Sequence, residues 1–141
     1  MIFNSLRINN YRAYYGESIF DFPIEGERNI SILYADNDVG KSCFFSAILF
    51  CLYGPKDSDD LKDLINVNAQ SEKSYHTEVS LFIENGQDKI EISRAIDLRG
   101  KLDATPSSKD FKCTLELIKN GVPLSSDEDE KADFINCLVH E

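Results

Sequence analysis

Nowhere does the 141-residue sequence hold a run of about 18 or more apolar residues, the least that a membrane-spanning helix needs. Met1 leads straight into a mixed, strand-like segment, without the basic and then apolar stretches of a secretory leader. The expectation is a soluble, cytoplasmic protein with no membrane partner. Paired cysteines are missing too. Cys43, Cys51, Cys113 and Cys137 show no CxxC spacing, and Cys43 and Cys51 would lie about two turns apart on a helix, beyond disulfide reach. Buried free thiols are expected. The two histidines, His76 and His140, have no Cys, Asp or His at ligand spacing, which leaves them surface or strand-packing roles. Basic residues are outnumbered 15 to 25, a net charge of −10. The chain as a whole is therefore a poor electrostatic match for a phosphate backbone, and any DNA contact must be local or made elsewhere.

What is present suffices for one globular domain: 42% of residues are hydrophobic and 28% charged. Ile2 to Ile8 reads as a first strand, ending at the turn-prone Asn9-Asn10, and Ser18 to Phe22 as a second, antiparallel one stopped by Pro23. Asn29 to Tyr34 is an apolar, β-branched run that predicts a buried strand. From Gly40 to Tyr53 nearly every position is apolar, which predicts a helix buried on most sides and ended by Gly54-Pro55. Leu61, Leu64 and Ile65 have the spacing of a short amphipathic helix over the sheet edge. Thr77 to Ile83 and Ile90 to Arg94, joined through Asn85-Gly86, form the clearest hairpin. A polar loop follows from Asp97 to Asp110, then a strand through Cys113, Leu115 and Leu117. A last helix is expected over about Asp127 to Val139, with Ser125 and Glu128 as its capping box and Ala132, Ile135, Leu138 and Val139 on one side.

The chemistry concentrates in Ala35-Asp36-Asn37-Asp38-Val39-Gly40-Lys41-Ser42, which follows a predicted strand and opens a predicted helix. This is the Walker A arrangement, G-x-x-x-x-G-K-[ST], lacking only its leading glycine. Phosphate binding calls for inward-turned backbone N–H groups, a helix N-terminus, a lysine for the terminal phosphates and a hydroxyl for magnesium. Gly40, Lys41 and Ser42 supply these, with Ser42 as the metal ligand. Two replacements count against the loop: Ala35 carries a Cβ where the pattern has glycine, and Asp38 puts a carboxylate beside an anion. Asp38 tolerates left-handed backbone, so it opposes the electrostatics of the loop and not its shape.

The order Leu6 to Arg12, Tyr15-Gly16, Ile30 to Ser42 and Leu52-Tyr53-Gly54 resembles the N-terminal lobe of SMC/RecF-like ATPases, strongly to Gly54 and loosely beyond. That resemblance implies an α/β fold, a P-loop NTPase of ABC/SMC type, with a mixed and antiparallel sheet packed on the P-loop helix. It implies ATP and Mg²⁺ as cofactors and Arg12, Asn37, Asp38, Val39, Gly40, Lys41, Ser42 and Cys43 as the nucleotide-binding set. Arg12 would reach the phosphates from the turn after the first strand; a solvent-facing turn arginine is the alternative. Within the family, Tyr14-Tyr15-Gly16-Glu17, Leu52-Tyr53-Gly54 and Leu64-Ile65-Asn66 look most like the DndD subfamily, linked to DNA phosphorothioation and phage restriction. The coiled-coil ATPase of double-strand-break repair is the close rival.

Such heads are split across the two ends of a chain. The implied partners are a C-terminal half with the signature motif and the Walker B acid, a second head in a homodimer, DNA through the assembly, and a nuclease or defence-system partner. No apolar run ending in Asp-Glu follows the loop, and Gln70 and Gln87 lie in the wrong context for the magnesium-contacting glutamine. Residues 1–141 thus read as the N-terminal half of a head, a fragment that binds nucleotide and hydrolyses it only when completed. The competing expectation is a non-hydrolysing interaction module whose altered loop merely connects strand to helix. Arg94 is read either as reaching DNA or as a cross-strand partner of Glu78 or Glu84. Tyr11, Tyr14 and Tyr15 are read either as a stacking platform for single strands or as packing on the sheet.

Overall fold

The computed structural model describes residues 1–24, 30–36, 40–100 and 104–140. Its centre is a six-stranded sheet in the order β2-β1-β3-β4-β5-β6, with every pairing antiparallel. The strands are β1 (Ile2–Asn9), β2 (Glu17–Asp21), β3 (Thr77–Asn85), β4 (Asp88–Leu98), β5 (Phe111–Lys119) and β6 (Val122–Pro123). Alternation decides which face is buried. The register sets Leu6, Leu81, Ile92 and Leu117 side by side across four strands, and Ile8 beside Val79 in the next row. The intervening row, Arg7, Ser80, Ser93 and Glu116, belongs to the opposite, polar face. There the Ser93 hydroxyl donates to Ser80 Oγ at 2.7 Å.

Among the described residues three α-helices, α1 (Lys41–Tyr53), α2 (Val67–Ser71) and α3 (Glu128–His140), accompany the sheet. α1 lies on β3 and β4 and buries Phe44, Ala47, Phe50, Cys51 and Leu52. α3 lies along β5 through Ile135 and Leu138. Lys131 is buried with them, its ammonium donating to the Leu115 carbonyl at 2.6 Å and to Glu128 at 2.9 Å, while Ala132 faces outward. The α3 cap is Asp127, whose carboxylate accepts from the N–H groups of Asp129 and Glu130; Ser125 instead bonds Glu130 through its side chain. A reciprocal capping box does occur, at Ser107 and Asp110, inside the polar segment expected to be a plain loop.

Four expectations change. Residues 30–34 form no strand, and Ile30, Ile32 and Tyr34 are 84%, 86% and 91% exposed. A β-branched apolar run needs a neighbouring strand to become a strand, and none of the described strands pairs with it. Among the described residues every strand pairing is accordingly antiparallel, where a mixed sheet was expected. α1 is buried on one side only: Phe45, Leu49 and Tyr53 are each more than half exposed. Its uniform apolarity cannot distinguish a helix enclosed by its own chain from one with an open apolar face. The four cysteines are free, but only Cys51 is buried and Cys137 is exposed.

Candidate nucleotide site

α1 begins at Gly40, whose backbone is left-handed at φ 99°. A side chain there would be strained, and a Cβ would also touch the Tyr14 ring at 3.5 Å. Among the described residues no side chain caps the first turn, and the turn itself holds no acidic residue. Its leading N–H groups therefore keep their partial positive charge, the local requirement for an anion site.

Lys41 folds back over the loop, its ammonium donating to the carbonyls of Ala35 and Asp36, the latter at 2.9 Å. Ser42 is exposed and Cys43 half-buried on the same turn. Asn37, Asp38 and Val39 lie outside the described residues.

Arg12 arrives from the turn after β1. Asn10 and Arg12 are both left-handed, at φ 51° and 47°, a conformation that persists in non-glycine residues only where the surroundings impose it. The surroundings here are the segment from Leu64 to Asn66, which follows a 3₁₀ turn at Leu61–Leu64. Tyr11 bridges Ile65, the Arg12 N–H donates to the Leu64 carbonyl at 2.9 Å, and the Asn66 N–H donates to the Asn10 carbonyl at 2.8 Å. Buried Asn66 also donates from Nδ2 to the Arg12 carbonyl at 2.7 Å while its Oδ1 caps α2.

The Arg12 side chain faces Asp59, at 3.9 Å, and lies over the Tyr11 ring. It shares a cavity of about 580 Å³ with Ser42, Ser46, Lys56, Asp59 and the open apolar side of α1. The fold thus brings Arg12 to the same hollow as Ser42 from a position 30 residues earlier in sequence.

The tyrosines pack. Tyr11 is buried against Phe50, with its hydroxyl 3.0 Å from Ser46 Oγ, and burial raises its pKa. Tyr14 stands edge-on to Phe20 and donates to the Gly40 carbonyl at 3.1 Å, which ties the β1–β2 turn to the start of α1. Tyr15 is exposed and donates to Glu72 at 2.7 Å.

Arg94 neither pairs with Glu78 or Glu84 nor faces outward. It closes the far end of α1, donating from Nε to the Cys51 carbonyl at 3.1 Å and from Nη2 to that of Leu52 at 3.3 Å. Beneath it Cys51 donates to the Ile92 carbonyl, and burial pushes this thiol up to about 12. His76 pairs with Asp97 at 2.5 Å and lies 3.6 Å from Glu78, a strand-end contact that sequence spacing alone did not reveal. Gln70 is a structural residue that donates to the carbonyls of Lys62 and Ile65. The sequence singles out neither Asp59 nor Ser46, and Asn66 only within Leu64-Ile65-Asn66. Only Asn66 had a local signal, as an N-cap residue ahead of a short helix.

A family model described as "AAA domain" matches residues 5–139. The chain belongs to this AAA-domain ATPase family, of SMC-like type, and is an ATPase-type nucleotide-binding module. Members generally bind ATP with Mg²⁺. The chain is also similar to an uncharacterized protein of Acanthamoeba polyphaga mimivirus, 33% identical over 86 residues. That match takes in 61% of this chain and 6% of the viral protein. No helix among the described residues is long and apolar enough to cross a membrane.

The donor chemistry fits a magnesium nucleotide: a glycine-led helix start with Lys41 on its first turn, and next to it a hollow lined by the Ser42 hydroxyl and Arg12. Gly40 and the α1 N–H groups would hold phosphate oxygens, Lys41 and Arg12 would offset their charge, and Ser42 would ligate the ion.

Proposed function

We propose that the chain is the nucleotide-binding N-terminal lobe of a P-loop ATPase head of the ABC/SMC type, taking ATP with Mg²⁺. The observation that carries this reading is the start of α1 at Gly40-Lys41-Ser42, with Arg12 lining the same cavity as Ser42. Bound magnesium would neutralise phosphate charge and orient the terminal phosphoryl group. The residues of this chain grip and orient the nucleotide.

Hydrolysis also needs a carboxylate to position water. That group is assigned to a C-terminal half of the same head, and closure of the site to a second head in a homodimer. The exposed apolar residues Phe45 and Leu49, which line the cavity with Arg12 and Ser42, support a further lobe against this side. The wider role, ATP-driven DNA processing in repair or in phosphorothioation-linked phage restriction with a nuclease or defence partner, rests on the sequence resemblance. So does a cytoplasmic location. The expected experiment is a calorimetric titration of MgATP into the chain and into Lys41→Ala. Losing a charge-assisted contact worth about 1.5–3 kcal/mol should weaken binding by roughly ten- to a hundredfold. Equal affinity in both would overturn the reading.

A second reading, an interaction module with a degenerate P-loop, is favoured by Ala35 and by the Lys41 ammonium bonding its own loop carbonyls. It requires that the folded wild-type chain bind no MgATP at all.

A further inference from the structure

We propose that Asp59 is a positioning residue, which holds the Arg12 guanidinium off the phosphate site and so sets how tightly the site takes a triphosphate; this rests on the nucleotide-binding reading above. The backbone of Arg12 cannot shift to serve a ligand, since Leu64 and Asn66 bond it on both sides in a left-handed conformation. Only its side chain can turn, and Asp59 is the acid that faces it. Asp59 is held in turn. Its Oδ2 accepts from the Lys56 N–H at 2.9 Å, and its own N–H donates to the Lys56 carbonyl at 2.9 Å, closing a tight turn just after α1.

Among the described residues, Asp59 supplies the one carboxylate lining the cavity that Ser42 and Arg12 share. The pair is loose, at 3.9 Å, and open to water on both sides, with side chains 38% and 21% exposed. A pair of that kind is weak enough for a polyphosphate, with several charges, to compete for the arginine. Two consequences follow for a triphosphate: it must take Arg12 from Asp59, and it must settle near the carboxylate it has displaced. Lys56 lines the same hollow, so the released arginine would add to a second cation there.

The test is a titration of MgATP into wild type, Asp59→Asn, Arg12→Gln and the double variant. Asparagine keeps an acceptor for the Lys56 N–H and removes only the charge. The expected result is about three- to tenfold tighter binding by Asp59→Asn, with steeper salt dependence than wild type. In the Arg12→Gln background the same change should gain less than about twofold, because there is no arginine to release. Should Asp59→Asn melt below wild type, Asp59→Ser, which also keeps a turn acceptor, is read in its place. Wild-type binding that neither variant tightens would overturn the role of Asp59 and leave the nucleotide site standing. A gain undiminished in the Arg12→Gln background would overturn it also, by showing that the carboxylate acts on the ligand directly. If the folded wild type and both Asp59 variants bind no MgATP, the nucleotide reading falls and the role of Asp59 falls with it.

Discussion

The two ends of α1 are built in opposite ways. At the C-terminal end the chain satisfies itself: the Gly54 N–H bonds the Phe50 carbonyl, Arg94 takes the carbonyls of Cys51 and Leu52, and Cys51 is sunk between β3 and β4. At the N-terminal end no side chain of a described residue caps the helix, a left-handed glycine opens it, and the nearest lysine bonds the Ala35 and Asp36 carbonyls. The contrast extends outward. The Arg94 end joins a sheet whose apolar rows are closed, whereas the Gly40 end adjoins residues 30–36, whose large apolar side chains stand in solvent. Stability resides where polar and apolar groups have found partners within the chain. Binding capacity resides where they have not.

That contrast can be broken first on its closed side. Ile92, fully buried in the central row, should cost about 2–5 kcal/mol when replaced by alanine, read from urea unfolding. Arg94→Met should cost about 1–3 kcal/mol, because it leaves the Cys51 and Leu52 carbonyls without their donors in a half-buried setting. Arg94→Lys should restore part of that loss, since one ammonium cannot span both carbonyls as the guanidinium fork does. On the open side, Ile32→Ser should change unfolding free energy by less than about 0.5 kcal/mol, because Ile32 is 86% exposed. A large loss at Ile32 would mean that the segment packs on the sheet and that the contrast is misdrawn.

Much of the sheet was legible because strict alternation in β3, β4 and β5 leaves one face to bury, and Asn85-Gly86 fixes the hairpin register. The helix after Gly40 was legible for the same kind of reason, since Gly54-Pro55 ends it. Residues 30–34 were misread because apolar, β-branched composition reports a readiness to pair and not the presence of a pairing strand. The helix cap at Asp127 was assigned to Ser125 because both residues match the cap pattern, and only the backbone path decides between them.

The candidate site was half legible. Gly40, Lys41 and Ser42 announce themselves by spacing, and Arg12 entered through resemblance. Asp59 and Asn66 act on Arg12 across 47 and 54 residues of sequence; Asn66 carries a helix-cap signal, but no local pattern links either residue to Arg12. Arg94 was misassigned because a basic residue in a strand suggests a cross-strand acid, whereas its neighbours in register are Val79 and Leu115 and its partners are helix carbonyls.

The central claim is that the open end of α1 binds phosphate. Hydrogen exchange of the backbone amides, measured with and without saturating MgATP, tests it most directly. The account predicts that Lys41, Ser42 and Cys43 gain protection while amides in the middle of β3, β4 and β5 stay as they are. Saturating MgATP with no change at those three amides, or with protection confined to the sheet, would contradict it.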